Sequence, residues 1–207
     1  MTRVLSIAIV TTALIAMQGL ARADDAPAKI EAAQSDAFKQ RLFGSAAGQK
    51  AYACFTRRYD AEHLARHPHQ KVASMKLLVK FEADEQPHAI PYSFKLGLKY
   101  RHRKEALETA GTCALMLDEA TGKEIQIGCS VDCDGGGLGI AFAKDRDAMV
   151  LKLERVRVWP SGKEPEENSE DLSAGIDDKS FRLDRADLSD CAGLVEDKDE
   201  RLALNRK

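Results

Sequence analysis

Two stretches of this chain alternate apolar and polar residues with a period of two, and that pattern constrains the fold more than anything else in it. In Tyr92–Arg101, Tyr92, Phe94, Leu96, Leu98 and Tyr100 fall on one side, while Lys95, Lys99 and Arg101 fall on the other. In Lys71–Ala83, Ala73, Met75, Leu77, Val79 and Phe81 oppose Lys76, Lys80 and Glu82. A helix would scatter each set around its circumference, whereas an extended strand gives each set its own face. One dry face and one wet face is the pattern of antiparallel sheet.

Further strands are predicted at Ala51–Tyr59, Leu107–Leu117, Glu124–Cys133, Leu138–Lys144, Ala148–Glu154, Arg155–Trp159 and Ser180–Leu183. Short strands separated by turn signals, with almost no helix after residue 70, predict an all-β, mainly antiparallel fold. Short connections favour pairing of sequential neighbours, hence a meander β-barrel or β-sandwich, lipocalin-like in architecture only. Ahead of the sheet, Ile30, Ala33, Ala37, Phe38 and Leu42 recur at helical spacing, with Asp25 as a candidate N-cap and Gly44 as a stop. A short N-terminal helix and linker is therefore expected over 24–48, and a single β domain over 49–191. Within that domain, 160–179 reads as an acidic loop, and 192–207 reads as a flexible charged tail.

Arg3, the uncharged run from Val4 to Met17 and the small residues of Ala21-Arg22-Ala23 form the three parts of a secretory signal peptide over 1–23. Cleavage after Ala23 removes Arg3 and Arg22, leaving 184 residues and shifting the formal net charge from −2 to −4. The expectation is an exported product, periplasmic or secreted, with no transmembrane helix in the mature chain. An acidic chain of this kind gives no reason to expect a nucleic-acid partner.

Export permits disulfides among the five cysteines, Cys54, Cys113, Cys129, Cys133 and Cys191. The turn at Ala120-Thr121-Gly122 sets the register of one hairpin: with Glu119 and Lys123 as the closing pair, opposed residue numbers sum to 242. Leu117 then faces Ile125, Leu115 faces Ile127 and Cys113 faces Cys129, all on one side. A slip of one residue would divide these pairs between two faces. Facing cysteines on adjacent antiparallel strands lie within disulfide reach, so Cys113–Cys129 is the expected bridge. Closing a barrel brings its first and last strands together, which favours Cys54 with Cys191 as a second.

The run Asp132-Cys-Asp-Gly-Gly-Gly-Leu-Gly139 lacks the lysine and hydroxyl of a phosphate-binding loop and the later carboxylates of a calcium loop, and reads as turn glycines. His63 and His67 stand one helical turn apart with His69 beyond Pro68, a spacing that can share zinc or copper. Asp177-Asp178 and the acidic run from Glu164 to Asp171 offer carboxylates without a nucleophile motif beside them. Charge is unevenly spread. Lys71–Lys104 holds eight basic and three acidic residues, while Glu164–Glu200 holds fourteen acidic and four basic. Self-complementarity of this kind predicts that the acidic C-terminal segment docks on the basic sheet face.

Three functional expectations follow. The first is an exported non-enzymatic binding or accessory protein of the cell envelope, with Met75, Leu77, Phe94, Leu96, Leu98 and Leu115 lining a cavity for a small apolar ligand. The second is a metal-binding protein or metalloenzyme using His63, His67 and His69. The third is an envelope interaction protein that meets an anionic component through its basic sheet face.

Overall fold

A computed structural model describes residues 29–83, 91–118, 121–131, 134–144, 148–166 and 169–206. The expected signal peptide, the Asp25 N-cap and Cys133 lie outside the described residues.

Helix α1 (Ala32–Phe43) starts at Glu31, where a capping box joins Glu31 to Gln34, and stops at Gly44, whose φ of 62° suits a residue without a Cβ. Nine strands follow: β1 (Lys50–Arg58), β2 (Val72–Glu82), β3 (Tyr92–Tyr100), β4 (Ala106–Leu117), β5 (Ile125–Ser130), β6 (Gly136–Phe142), β7 (Ala148–Pro160), β8 (Glu170–Ser173) and β9 (Ser180–Ala186). Short helices α2 (Ala61–Arg66), α3 (Leu188–Cys191) and α4 (Lys198–Leu204) complete the elements, with 3₁₀ turns at Gly44–Ala46 and Ala192–Leu194.

The strands from β1 to β7 form an antiparallel meander, and β9 closes it by pairing with both β7 and β1. The closed ring is not a regular barrel. β4 and β7 have 12 and 13 residues, whereas β5 and β6 between them have 6 and 7, so beyond the short hairpin β4 pairs directly with β7 at Leu107–Pro160 and Glu108–Trp159.

Inward residues from every ring strand join one core, including Phe55, Leu77, Phe94, Ile127, Ile140, Leu151 and Phe181. Helix α1 covers one end of the ring with Phe38, Leu42 and Phe43, the last stacked on Tyr92 with ring centroids 6.5 Å apart. Arg185 donates to the carbonyls of Arg41 and Leu42, tying the helix C-terminus to β9.

The structure departs from the sequence expectations in three places. Residues 148–160 form one strand where two were predicted. The acidic loop contains β8, which pairs with β7 from Arg155–Ser173 to Val158–Glu170, along the edge that β9 leaves free after Lys152. The charged tail folds as well: Asp197 caps α4 by accepting from Glu200 N, and Leu204 is buried.

Candidate functional site

The hairpin has the register in which opposed numbers sum to 242, with Cys113 opposite Cys129 and Leu115 opposite Ile127. Gly122 has φ 63° and donates to Asp118 O at 2.7 Å, closing the turn. Cys113 and Cys129 are joined, with Cα atoms 4.1 Å apart.

The second disulfide, Cys54–Cys191, spans 137 residues of sequence and lies on the outside of the ring. Phe55 points into the core, so its neighbour Cys54 points out. There it meets a satellite cluster of Leu78, Cys191, Ala192, Leu194, Val195 and Leu204. Residues 187–206 thus form a strap across the outer face of β1, β2 and β3. Gly97 makes this close approach possible, because a Cβ there would meet Leu194 Cδ2 at 2.5 Å.

Charge holds the strap as well. Lys80 is 3.4 Å from Glu200 and 2.6 Å from Glu82, Lys50 is 3.7 Å from Glu200, and Lys95 is 3.3 Å from Glu196. Tyr52 donates its hydroxyl proton to Glu200, and burial with that contact raises the Tyr52 pKa. The Lys80 hydrogen bond is the largest influence holding the Glu82 carboxyl below its ordinary value.

The candidate cavity residues lie in the core. Met75, Leu77, Phe94, Leu96 and Leu98 are each at most 2% exposed and belong to one contiguous cluster, against which Leu115 packs partly buried.

The histidines lie in the β1–β2 connection, where the rings of His63 and His67 stack. His63 stacks on Tyr59 at 4.5 Å and on His67 at 4.3 Å. Its Nε2 is 3.0 Å from Gln70 Oε1, and His67 Nδ1 is 3.7 Å from Asp177. His69 contributes its backbone N–H to Asp177. Among the described residues, no group of three or more potential ligands gathers as a metal site. Asp178, 2% exposed, accepts from Lys71 N and Val72 N, so this carboxylate pair pins the β8–β9 connection to the start of β2.

Concave surface lies outside the ring. A groove of about 680 Å3 runs between α1 and the ends of β5 and β6, floored by Phe38, Ile125 and Phe142, with the Arg41 guanidinium 3.7 Å from the Phe142 ring centroid. Its rim mixes Lys123 and Lys144 with Asp118 and Glu124. A trough of about 580 Å3 crosses the outer face of β4–β7 over Ala114, Gly128, Gly137 and Gly139.

A smaller pocket of about 210 Å3 lies where the strap ends, between Ser74 and Lys76 of β2, Gly97 and Lys99 of β3, Ala106 of β4, Ser161, and Gly193 and Leu194. Register places its parts: Ser74 faces Lys99 and Lys99 faces Ala106 in one row, while Lys76 faces Gly97 and Gly97 faces Glu108 in the next. Both lysines belong to the basic face read in the sequence, yet neither has an acidic partner among the described residues. Lys76 Nζ donates to the backbone carbonyl of Asp190 at 2.7 Å, and Lys99 is exposed. The neighbouring Glu108 carboxylate accepts from Ser161 Oγ at 2.7 Å and Gly162 N at 3.0 Å.

Comparison with family models, curated proteins and solved structures finds no match for this chain. Any functional assignment therefore rests on its own residues. Sequence reading placed Lys99 on the wet face but missed the pocket, whose third wall comes from the strap.

Proposed function

We propose that the chain is an exported, non-enzymatic binding or accessory protein of the cell envelope whose binding surface lies outside a closed ring stapled by disulfides. The observation that carries the reading is the placement of side chains. The apolar inward set packs together as a core, while lysines without a carboxylate partner among the described residues and an apolar wall border a pocket on the outer face. Two disulfides are at home in an oxidising compartment, in agreement with the leader read at 1–23. A ligand is thus sought at the surface, and the basic face contributes the part that the strap leaves uncovered.

Native mass spectrometry of the protein purified from its own envelope tests this reading. The expected spectrum shows a chain beginning at Asp24, two disulfides, and a bound species that leaves on mild activation. A chain that still begins at Met1, or a mature chain that never carries a bound molecule or partner under gentle extraction, would overturn it.

A further inference from the structure

We infer that the pocket between Lys76 and Lys99 binds the phosphate group of a small phosphomonoester. This deepens the reading of the chain as a binding protein by naming the chemistry of one site.

The charge balance of the outer face points there. Lys50, Lys80 and Lys95 each have a carboxylate within ion-pair distance, from Glu200, Glu82 or Glu196. Lys76 and Lys99 have none among the described residues, although they stand on a cross-strand diagonal, a spacing of roughly 7 Å between neighbouring strands. Three nearby acids make other contacts. Glu108 is bound to the Ser161–Gly162 turn, Glu196 to Lys95, and Asp190 presents its backbone carbonyl to Lys76. Two lysines that line one pocket from adjacent strands form a positive site that a single anion can meet.

Charge and shape select the anion. A phosphomonoester carries about −1.5 to −2 at pH 7 and three acceptor oxygens, so it can meet both lysines at once, whereas a carboxylate offers one charge and two oxygens. Planar carboxylates are best held by the fork of an arginine, and the charged side chains lining this pocket are lysines, which meet phosphate as point charges. Ser74 adds a hydroxyl in the same row as Lys99. Leu194 and Ala106 offer an apolar wall for a few carbons. The volume of about 210 Å3 admits a phosphate with a short stem. It is below the roughly 300–1,000 Å3 of drug-sized sites.

Two sources supply this group, a free phosphorylated metabolite or a phosphatidic acid headgroup. Titration of the mature protein with inorganic phosphate and glycerol 3-phosphate, followed by calorimetry and amide shifts, is paired with flotation on phosphatidylcholine vesicles with and without phosphatidic acid. The expected result is saturable binding, with shifts centred on Gly97, Lys99 and Gly193, that weakens as pH falls through about 6, where the phosphate loses its second charge. Lys99→Met should reduce affinity about tenfold or more, the weight of one charge-assisted hydrogen bond. Ala106→Leu should do the same by filling the pocket without changing charge, while Lys144→Met, beside α1, should leave affinity unchanged. Binding of glycerol 3-phosphate without vesicle capture supports a soluble ligand; vesicle capture that needs phosphatidic acid and is lost in Ala106→Leu supports a headgroup. Equal binding by wild type and Ala106→Leu would overturn the pocket, since diffuse attraction to lysines needs no cavity. Absence of any saturable response from protein that still carries a bound species in native spectra would overturn the phosphate assignment alone and leave the binding-protein reading standing.

Discussion

Removing the two disulfides separately should destabilise the protein by different amounts, with the order set by topology. Cys54–Cys191 closes a span of 137 residues and Cys113–Cys129 a span of 16. In the chain-entropy account, the longer loop contributes about 5 kcal/mol by restricting the unfolded chain, and the shorter about 3 kcal/mol. Nesting of the short loop inside the long one changes the first figure by only about 0.1 kcal/mol, because the dependence on length is logarithmic. The paired substitution Cys54→Ala/Cys191→Ala should therefore consume a large share of the roughly 5–15 kcal/mol available to a domain of this size. At about 2–4 °C per kcal/mol for 150–250 residues, the melting temperature should drop by about 10–20 °C, against about 6–12 °C for Cys113→Ala/Cys129→Ala. The first pair should have a local effect too. The strap would keep its small apolar cluster, the hydrogen bonds from Tyr52 to Glu200 and from Lys76 to the Asp190 carbonyl, and ion pairs that are half-buried at Glu200 and exposed at Glu196, of which the exposed one is worth little. Amide exchange in 188–204 should accelerate well before the ring opens. Guanidinium unfolding and hydrogen exchange on both double variants decide the matter. If losing Cys54–Cys191 costs no more than losing Cys113–Cys129, or leaves strap protection intact, the strap is held by its own packing and the argument from loop closure fails.

Two further outcomes are specific enough to check. Gly111→Ala and Gly136→Ala should each prevent soluble expression or cost several kcal/mol, because the added Cβ would meet the backbone oxygen of Ser130 or Arg155. Gly122→Ala, with φ 63° and nothing within 4 Å, should cost only about 1–2 kcal/mol of backbone strain, as read by thermal melts; comparable losses at all three positions would refute the distinction. All four tyrosines, Tyr52, Tyr59, Tyr92 and Tyr100, have raised pKa values with burial as the first cause. The folded state thus holds their protons more tightly than the unfolded state, so this contribution to stability is complete below the unfolded pKa of about 10 and is lost as pH rises above it. Ultraviolet titration should show phenolate appearing together with loss of the β-sheet circular dichroism signal; a phenol ionising reversibly near pH 10 in intact sheet would contradict the burial argument.

What was legible in the chain follows from where each residue's partners come from. The inner face of β3 alternates without a break because every ring strand turns the same side to one core, so a local pattern reports a global fact. The Cys113–Cys129 register was legible because a turn four residues away from each strand's last pair determines it. β8 was not, since its four residues bury only Leu172, and its strand geometry is imposed by the free edge of β7. Acidic composition there describes solvent exposure and carries no information about backbone pairing.

The strap and the pocket left a fainter trace, and it lies in the interruptions of the pattern. On the wet face of β2, Leu78 stands between Lys76 and Lys80, and on that of β3, Gly97 stands between Lys95 and Lys99. An apolar residue and a missing side chain, adjacent on an otherwise charged surface, are what a covering segment requires: one supplies contact area and the other supplies depth. Cys54 on β1, opposite Leu78, completes the patch. Leu194 fills the notch over Gly97, while the strap's carboxylates at Glu196 and Glu200 reach Lys95, Lys50 and Lys80. The cover therefore neutralises one side of the notch and leaves Lys76 and Lys99 on the other without carboxylate partners among the described residues. The strap's acid beside Lys76, Asp190, meets it through the backbone carbonyl at 2.7 Å, so Lys76 and Lys99 border the apolar wall of Leu194 and Ala106 with no carboxylate ion pair among the described residues, and that is the reason to look for an anion there.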